Sequence, residues 1–213
     1  IDLVLAHHPE GRSLAALADV MPVQADIWRK AGVPINIGEA VLEGRLSEVR
    51  RALMPLNHQR SVAAAGLLDF PFMCVHTPTD NLVNRHLQKF FDRQGEDRTL
   101  EEIVEKLKSF REYREATREN AGPEIVVGKK NRRSGRILVD MTGGTGGPAE
   151  SMERLAAAGV GTLIGMHISE KNREAAEKHK LNVIIAGHDS SDSIGVNLFL
   201  DELQKKGVKI IPC

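Results

Sequence analysis

Short β-rich runs alternate with stretches of helical spacing along almost the whole chain, and this limits the folds open to it more than any other feature. The β-rich runs are Leu3–Ala6, Phe72–Val75, Ile125–Val127, Ile137–Met141, Thr162–Met166, Val183–Ala186 and Val208–Ile211. Helical spacing covers Ala40–Met54, Asn57–Leu68, Leu82–Phe91, Pro148–Ala158, Glu170–His179 and Ile194–Lys206. A helix between two strands carries the chain back to the same end of a sheet, so the strands pair in parallel. The expected fold class is α/β with mostly parallel sheets. A polar interval divides the pattern into a first α/β half (1–95), a charged helical connector (96–122) and a second α/β half (123–213). Within the connector, Thr99 followed three residues later by Glu102 has the spacing of a capping box. The helix it opens is rich in Glu, Lys and Arg, as a solvated or bridging helix would be. The second half is expected to run strand–turn–strand, then helix–strand three times.

A chain of 213 residues is long enough to bury a core without disulfide staples. Its 29 basic and 29 acidic residues cancel, so no global field draws in nucleic acid or anionic lipid. No apolar run approaches the length of a membrane span, and no signal peptide is visible. The two cysteines, Cys74 and Cys213, allow at most one disulfide, which fits a reducing compartment and a cytoplasmic location. Ile1–Ala6 is already strand-like and has no initiator Met, so the natural start is expected upstream.

The chemistry gathers where candidate strands end. His7 and His8 follow the first run, His76 follows Val75 with Asp80 four residues on, His167 follows Met166 with Glu170 three on, and His188 follows Gly187 with Asp192 four on. Five of the eight histidines fall at such ends, where open α/β sheets place their sites. A single His after a strand is ordinarily a loop residue; ligand-like spacing repeated at separate strand ends is what carries weight. Imidazole with carboxylate suits zinc, iron, manganese or nickel, and the lack of thiolates argues against a structural zinc knot. Neighbouring side chains on a strand point to opposite faces, so His7 and His8 are poor chelators of one ion. They could serve two ions, with Asp80 and Asp192 as the available bridges, in the arrangement that clamps and activates a hydroxide.

His7-His8-Pro9, His76-Thr77-Pro78-Thr79-Asp80-Asn81, Gly143-Gly144-Thr145-Gly146-Gly147 and Gly187-His188-Asp189-Ser190-Ser191-Asp192 occur in an order and spacing that resembles the NIF-three-like family (NGG-one interacting factor three, domain of unknown function thirty-four). Its members are often labelled GTP cyclohydrolase I type 2 homologues. The resemblance spans nearly the whole chain. It implies two α/β halves with a dinuclear site of divalent ions between them, held by His7, His8, His76, Asp80, His188 and Asp192, and a toroidal homohexamer. Asp192 stands where the family usually has Glu, Pro78-Thr79 replaces the usual Asn-Leu, and the segment that precedes His-His in the family is absent from this sequence.

His167 and Glu170 are the candidates for general acid or base, with a helix start capped by Ser169 as the structural alternative. His58, His86 and His179 sit in helical segments as surface or packing residues. The Gly-rich turn lacks the Lys-Ser/Thr of a phosphate loop and is read first as a tight turn, second as an anion site. Lys129, Lys130, Arg132, Arg133 and Arg136 are read first as a hairpin loop before Ile137 and second as a phosphate or nucleic-acid contact, which the lack of interleaved aromatics for base stacking disfavours. The expected function is that of a dinuclear metal-binding protein, acting as a metal-dependent hydrolase on a nucleotide or related heterocycle by family analogy. The alternative is a non-enzymatic metal-binding regulatory or scaffold protein. Expected partners are a small-molecule substrate and further copies of the chain, with neither membrane nor nucleic acid.

Overall fold

A computed structural model describes residues 2–95 and 97–211. Cys213 lies outside them, so the pairing allowed with Cys74 does too. The first strand, β1 (Val4–Ala6), lies parallel to β2 (Phe72–Cys74), Leu5 facing Met73. Between the two come α1 (Arg12–Ala15), a 3-10 turn over Leu17–Val20, α2 (Val23–Lys30), α3 (Ile35–Leu53) and α4 (Arg60–Leu67). Then follow α5 (His76–Phe91), α6 (Leu100–Leu107), α7 (Arg111–Arg118), β3 (Glu124–Val127), β4 (Ile137–Asp140), α8 (Glu150–Ala157), β5 (Thr162–Gly165), α9 (Glu170–Lys178), β6 (Asn182–Ile185) and α10 (His188–Lys205).

The larger sheet has the order β3-β6-β5-β4. Its β4, β5 and β6 are parallel, and β3 runs antiparallel along β6 with an irregularity between Ile125 and Val127. This is the mixed α/β, parallel-rich fold expected from the alternation. Alternate strand residues point to opposite faces, and each face has its own core. Leu138, Leu163 and Val183 meet Trp28, Leu42 and Leu155 on one side. Ile137, Val139, Ile164 and Ile184 meet Leu87, Ile103, Tyr113 and Ile194 on the other.

Four expectations need correction. Val208–Ile211 forms no strand: it lies past α10 without a ladder partner, Val208 and Ile211 being exposed. The basic run is not a hairpin loop, because β3 and β4 occupy opposite edges of the sheet. Its side chains instead pin the crossing segment, Arg132 to Asn182, Arg133 to Asp97 and Arg136 to the carbonyl of Ala31. The connector holds two helices; the capping box of Thr99 and Glu102 forms, but α6 buries Leu100, Ile103 and Leu107 rather than standing in solvent. Finally, α5 and α10 begin at His76 and His188, about a turn and a half earlier than the apolar spacing predicts. Their opening turns bury polar residues, Thr79 and Asp80 in one and Ser191 and Asp192 in the other, and so carry no apolar period. Pro78 sits in the first turn of α5, where the missing N–H costs nothing.

Two contacts fix where these opening turns lie. Helix α5 covers the free edge of β4: Asn84 accepts from the Met141 N–H at 2.9 Å, and Gln88 accepts from the Val139 N–H at 2.8 Å while donating to the Ile137 carbonyl at 3.1 Å. Amide side chains thus complete the ladder that a further strand would have made. Helices α5 and α10 approach at Gly195, where an added Cβ would stand 2.5 Å from the Thr79 carbonyl oxygen. A backbone oxygen cannot yield to it, so only glycine allows this approach.

Candidate metal centre

The approach of α5 to α10 sets two His-x-x-x-carboxylate turns side by side. His76 and Asp80 lie one helical turn apart on α5, as do His188 and Asp192 on α10. His7 and His8, just beyond the end of β1, enter from the third side. His7 Nε2 lies 3.2 Å from Asp192 Oδ1 and 3.5 Å from Asp80 Oδ1. His8 Nε2 and His188 Nε2 lie 3.4 and 3.5 Å from Asp192 Oδ2, and His76 Nε2 lies 3.6 Å from Asp80 Oδ2. All four follow strand ends as expected, His7 and His8 in the loop after β1 and His76 and His188 as the first residues of the helices that follow β2 and β6.

Two overlapping groups have ligand atoms close enough to share a cation, His7–His8–Asp192 and His7–His76–Asp80. The donor set fits such a cation. Nε2 of His7, Oδ1 of Asp80 and Oδ1 of Asp192 are buried without a hydrogen-bond partner among the described residues. Buried polar atoms are ordinarily bonded, so three that converge without partners mark a place for a positive charge. Thr79, fully buried, orients the shared imidazole. Its hydroxyl lies 2.6 Å from the Val75 carbonyl and 2.7 Å from that of His76, and 3.0 Å from His7 Nδ1. The one hydroxyl proton goes to a carbonyl, so Oγ1 accepts from Nδ1–H, which leaves Nε2 as the nitrogen that faces the carboxylates and is free to give up its proton when a cation binds.

The electrostatics follow from crowding in a dry place. Burial pushes Asp80 up to about 7; His7 opposes the shift and Asp192 adds to it. Burial, then the neighbouring His7 and His8, hold His76 down at about 4. For His7, burial disfavours the charged form, but the carboxylates of Asp192 and Asp80 outweigh it and the net shift is upward. Burial pushes Asp192 up, and its histidines more than reverse this, leaving it lowered.

Beside the cluster opens a cleft of about 380 Å³, lined by His8, His76, Asp80 and His188 at one end and by strand ends and the Gly-rich turn beyond. His167 lines it, its ring 5.2 Å from that of His188. Although part of His167 meets solvent, the surrounding protein and then His188 lower its pKa. Glu170 is not brought there: it is exposed, and its carboxylate is held by Arg173 at 2.7 Å. Ser169 caps α9 as the structural alternative for this turn requires. The other three histidines make contacts elsewhere. His58, in a turn rather than a helix, reaches the Leu53 carbonyl, His86 meets the edge of Phe110, and His179 ends α9.

Sequence reasoning passed over Asp140. It ends β4, half-buried at the cleft, and accepts from the indole N–H of Trp28 at 3.3 Å. Burial pushes it up to about 6 against the pull of that bond. The available signal was an acidic residue closing an apolar strand just before a Gly-rich turn. That turn packs tightly, as read: a Cβ at Gly143 would strike Gln24, and one at Gly144 would strike Leu17.

The sequence matches no protein-family model and no curated protein. Among solved structures, the fold is that of a NIF3 superfamily protein from Sphaerobacter thermophilus, with a TM-score of 0.83 and 24% identity over 98% of this chain and 77% of the other. Reduced HcgD from Methanocaldococcus jannaschii is similar more loosely, with a TM-score of 0.50 and 17% identity over 72% of this chain and 62% of that one.

Proposed function

We propose that this chain, which has the fold of a NIF3 superfamily protein, binds two divalent ions and is a metal-dependent hydrolase of a nucleotide or related heterocycle. The observation that carries the metal reading is the convergence of six side chains from three separate segments on a few buried atoms without a hydrogen-bond partner among the described residues. His7, His8, His76, Asp80, His188 and Asp192 would hold the pair. A neutral imidazole nitrogen serves one ion, whereas a carboxylate has two oxygens, so Asp80 and Asp192 are the bridging candidates. Zinc, iron, manganese or nickel suits such donors.

When bound, such ions supply Lewis-acid polarisation and an activated nucleophile. The chain supplies the rest. Thr79 holds His7 in one tautomer, and apolar side chains of the cleft wall such as Leu17 and Met152 give a ligand a surface to lie against beside the cluster. His167, its pKa lowered, is neutral at pH 7 and able to accept a proton from a ligand in the cleft. Glu170 has no part in this scheme. The cleft beside the cluster supports an enzyme over a scaffold, which would need no cavity of ligand size.

The same reading makes the protein a cytoplasmic homo-oligomer, a hexamer by resemblance. No helix among the described residues is long and apolar enough to cross a membrane. Leu67, Leu68, Phe70 and Met73 are exposed around α4 and β2, and exposed apolar groups of this kind accompany subunit interfaces. The test of activity is hydrolysis of a panel of nucleotides and free heterocycles by metal-loaded protein, with His167→Ala alongside. Turnover that requires metal and falls at least about a hundredfold in the variant supports the reading. A loaded protein that turns over none of the panel favours the scaffold.

A further inference from the structure

Asp140 and Gln24 share the wall of the cleft away from the metal ligands. Gln24 is 2% exposed; its Nε2 donates to the carbonyls of Gly143 and Thr145, which commits its oxygen the other way. That oxygen, Oε1, is buried with no partner among the described residues. It stands beside Gly147, where an added Cβ would come within 2.9 Å of it. Among the described residues the Asp140 carboxylate accepts one hydrogen bond, from Trp28 to Oδ2. Trp28 lies one helical turn after Gln24 on α2, so one helix face supports both groups. The wall thus presents acceptors in excess of donors, among apolar neighbours such as Leu17, Met152 and Ile168. A buried acceptor left unpaired is costly, and a ligand that brings donors relieves the cost.

We propose that Asp140 is the recognition group of a subsite for a flat ring bearing an amidine-type pair of N–H donors, as in an amino-substituted nitrogen heterocycle. This deepens the reading of the cleft as a substrate site and adds a specificity residue that touches no metal ligand. The carboxylate of Asp140 takes the pair of N–H groups, while Gln24, buried beneath the Gly-rich turn, holds that part of the wall in place. Uncharged rings of the same shape without donors leave the carboxylate unpaired against them, and the site rejects them.

The test uses two probes of one shape, benzamidine and acetophenone, binding to zinc-loaded full chain. Calorimetry gives the affinities, and the fluorescence of Trp28, the single tryptophan of the chain, reports whether binding is at this wall. Benzamidine is expected to bind at least about tenfold more tightly than acetophenone, with a change in Trp28 emission, as one charge-assisted pair predicts. Asp140→Asn, which keeps an acceptor for Trp28, should bring the ratio below about threefold with zinc content unchanged. Equal binding of the two probes to the wild-type chain overturns the proposal whether or not the variant folds. So does a folded Asp140→Asn that keeps the tenfold preference. Zinc is measured in every sample. A preparation without zinc that still shows the Asp140-dependent preference supports this subsite while sinking the metal reading, and a fully loaded one without preference does the reverse.

Discussion

Oγ1 of Thr79 stands 3.0 Å from Nδ1 of His7, and this contact decides which imidazole nitrogen faces Asp80 and Asp192. Replacing Thr79 by Val keeps the shape and removes the acceptor. The loss of such an outer partner typically weakens a metal site by about 10- to 100-fold. Thr79→Ser, which restores the hydroxyl, is expected to bind zinc within about threefold of wild type. Competition with a chromogenic chelator measures both; Val and Ser variants of equal affinity would remove Thr79 from the account.

The fold class was legible in the sequence because it rests on alternation, which strands such as Ile137–Asp140 and Thr162–Gly165 signal through their short apolar runs. The opening turns of α5 and α10 were not legible, since their buried residues are Thr79, Asp80, Ser191 and Asp192. Polar residues are buried here because they face one another across two helices, which no local window of sequence reveals. The histidine cluster was legible through spacing and resemblance. Its oriented tautomer, the removal of Glu170 by Arg173 and the carboxylate of Asp140 depend on contacts between distant residues, and spacing encodes none of them.

Gly195 carries the packing that makes the cluster. Gly195→Ala places a methyl 2.5 Å from a backbone oxygen of α5, and helices that must separate lose roughly 1–3 kcal/mol. Since Asp80 and Asp192 ride on those helices, metal affinity should fall with stability. Thermal melts with and without zinc check this. An unchanged melting temperature and unchanged zinc stabilisation would show that the approach is looser than described.

Asp140 predicts a stability that depends on pH. Its carboxyl is pushed from 3.8 up to about 6 by burial, so the ionised form is disfavoured in the folded chain. The penalty is absent below about pH 4, grows as pH rises through the interval and is constant above it. Asp140→Asn removes it and should stabilise the chain at pH 7.5 by roughly 1–2 kcal/mol, a figure discounted because the residue reaches the open cleft. At pH 4 the variant and the parent should agree. Denaturant melts at the two pH values decide, and a gain at pH 4 as large as at pH 7.5 would contradict the assignment.

Metal binding must displace protons. Asp80, pushed up to about 7, holds a proton in metal-free protein below that pH, and His7, also raised, acts in the same direction. Apparent affinity should therefore climb as pH rises through 7 and fall by about tenfold per unit below it for each proton displaced. His76, held at about 4, adds nothing in this range. Titration in buffers of differing ionisation heat measures the protons released; affinity that is flat from pH 6 to 8 would contradict the account.

The proposed pair of ions, with carboxylate as the bridging candidate, is tested most directly by metal stoichiometry after identical purification. Wild-type protein loaded with zinc and passed through gel filtration is predicted to retain about two ions per chain. Asp80→Ala should lose both, His188→Ala mainly one, and His179→Ala, which stands at the end of α9 outside the cluster, should keep two, with circular dichroism confirming that each is folded. Only trace metal on the wild-type chain, or two ions retained by Asp80→Ala, would contradict it.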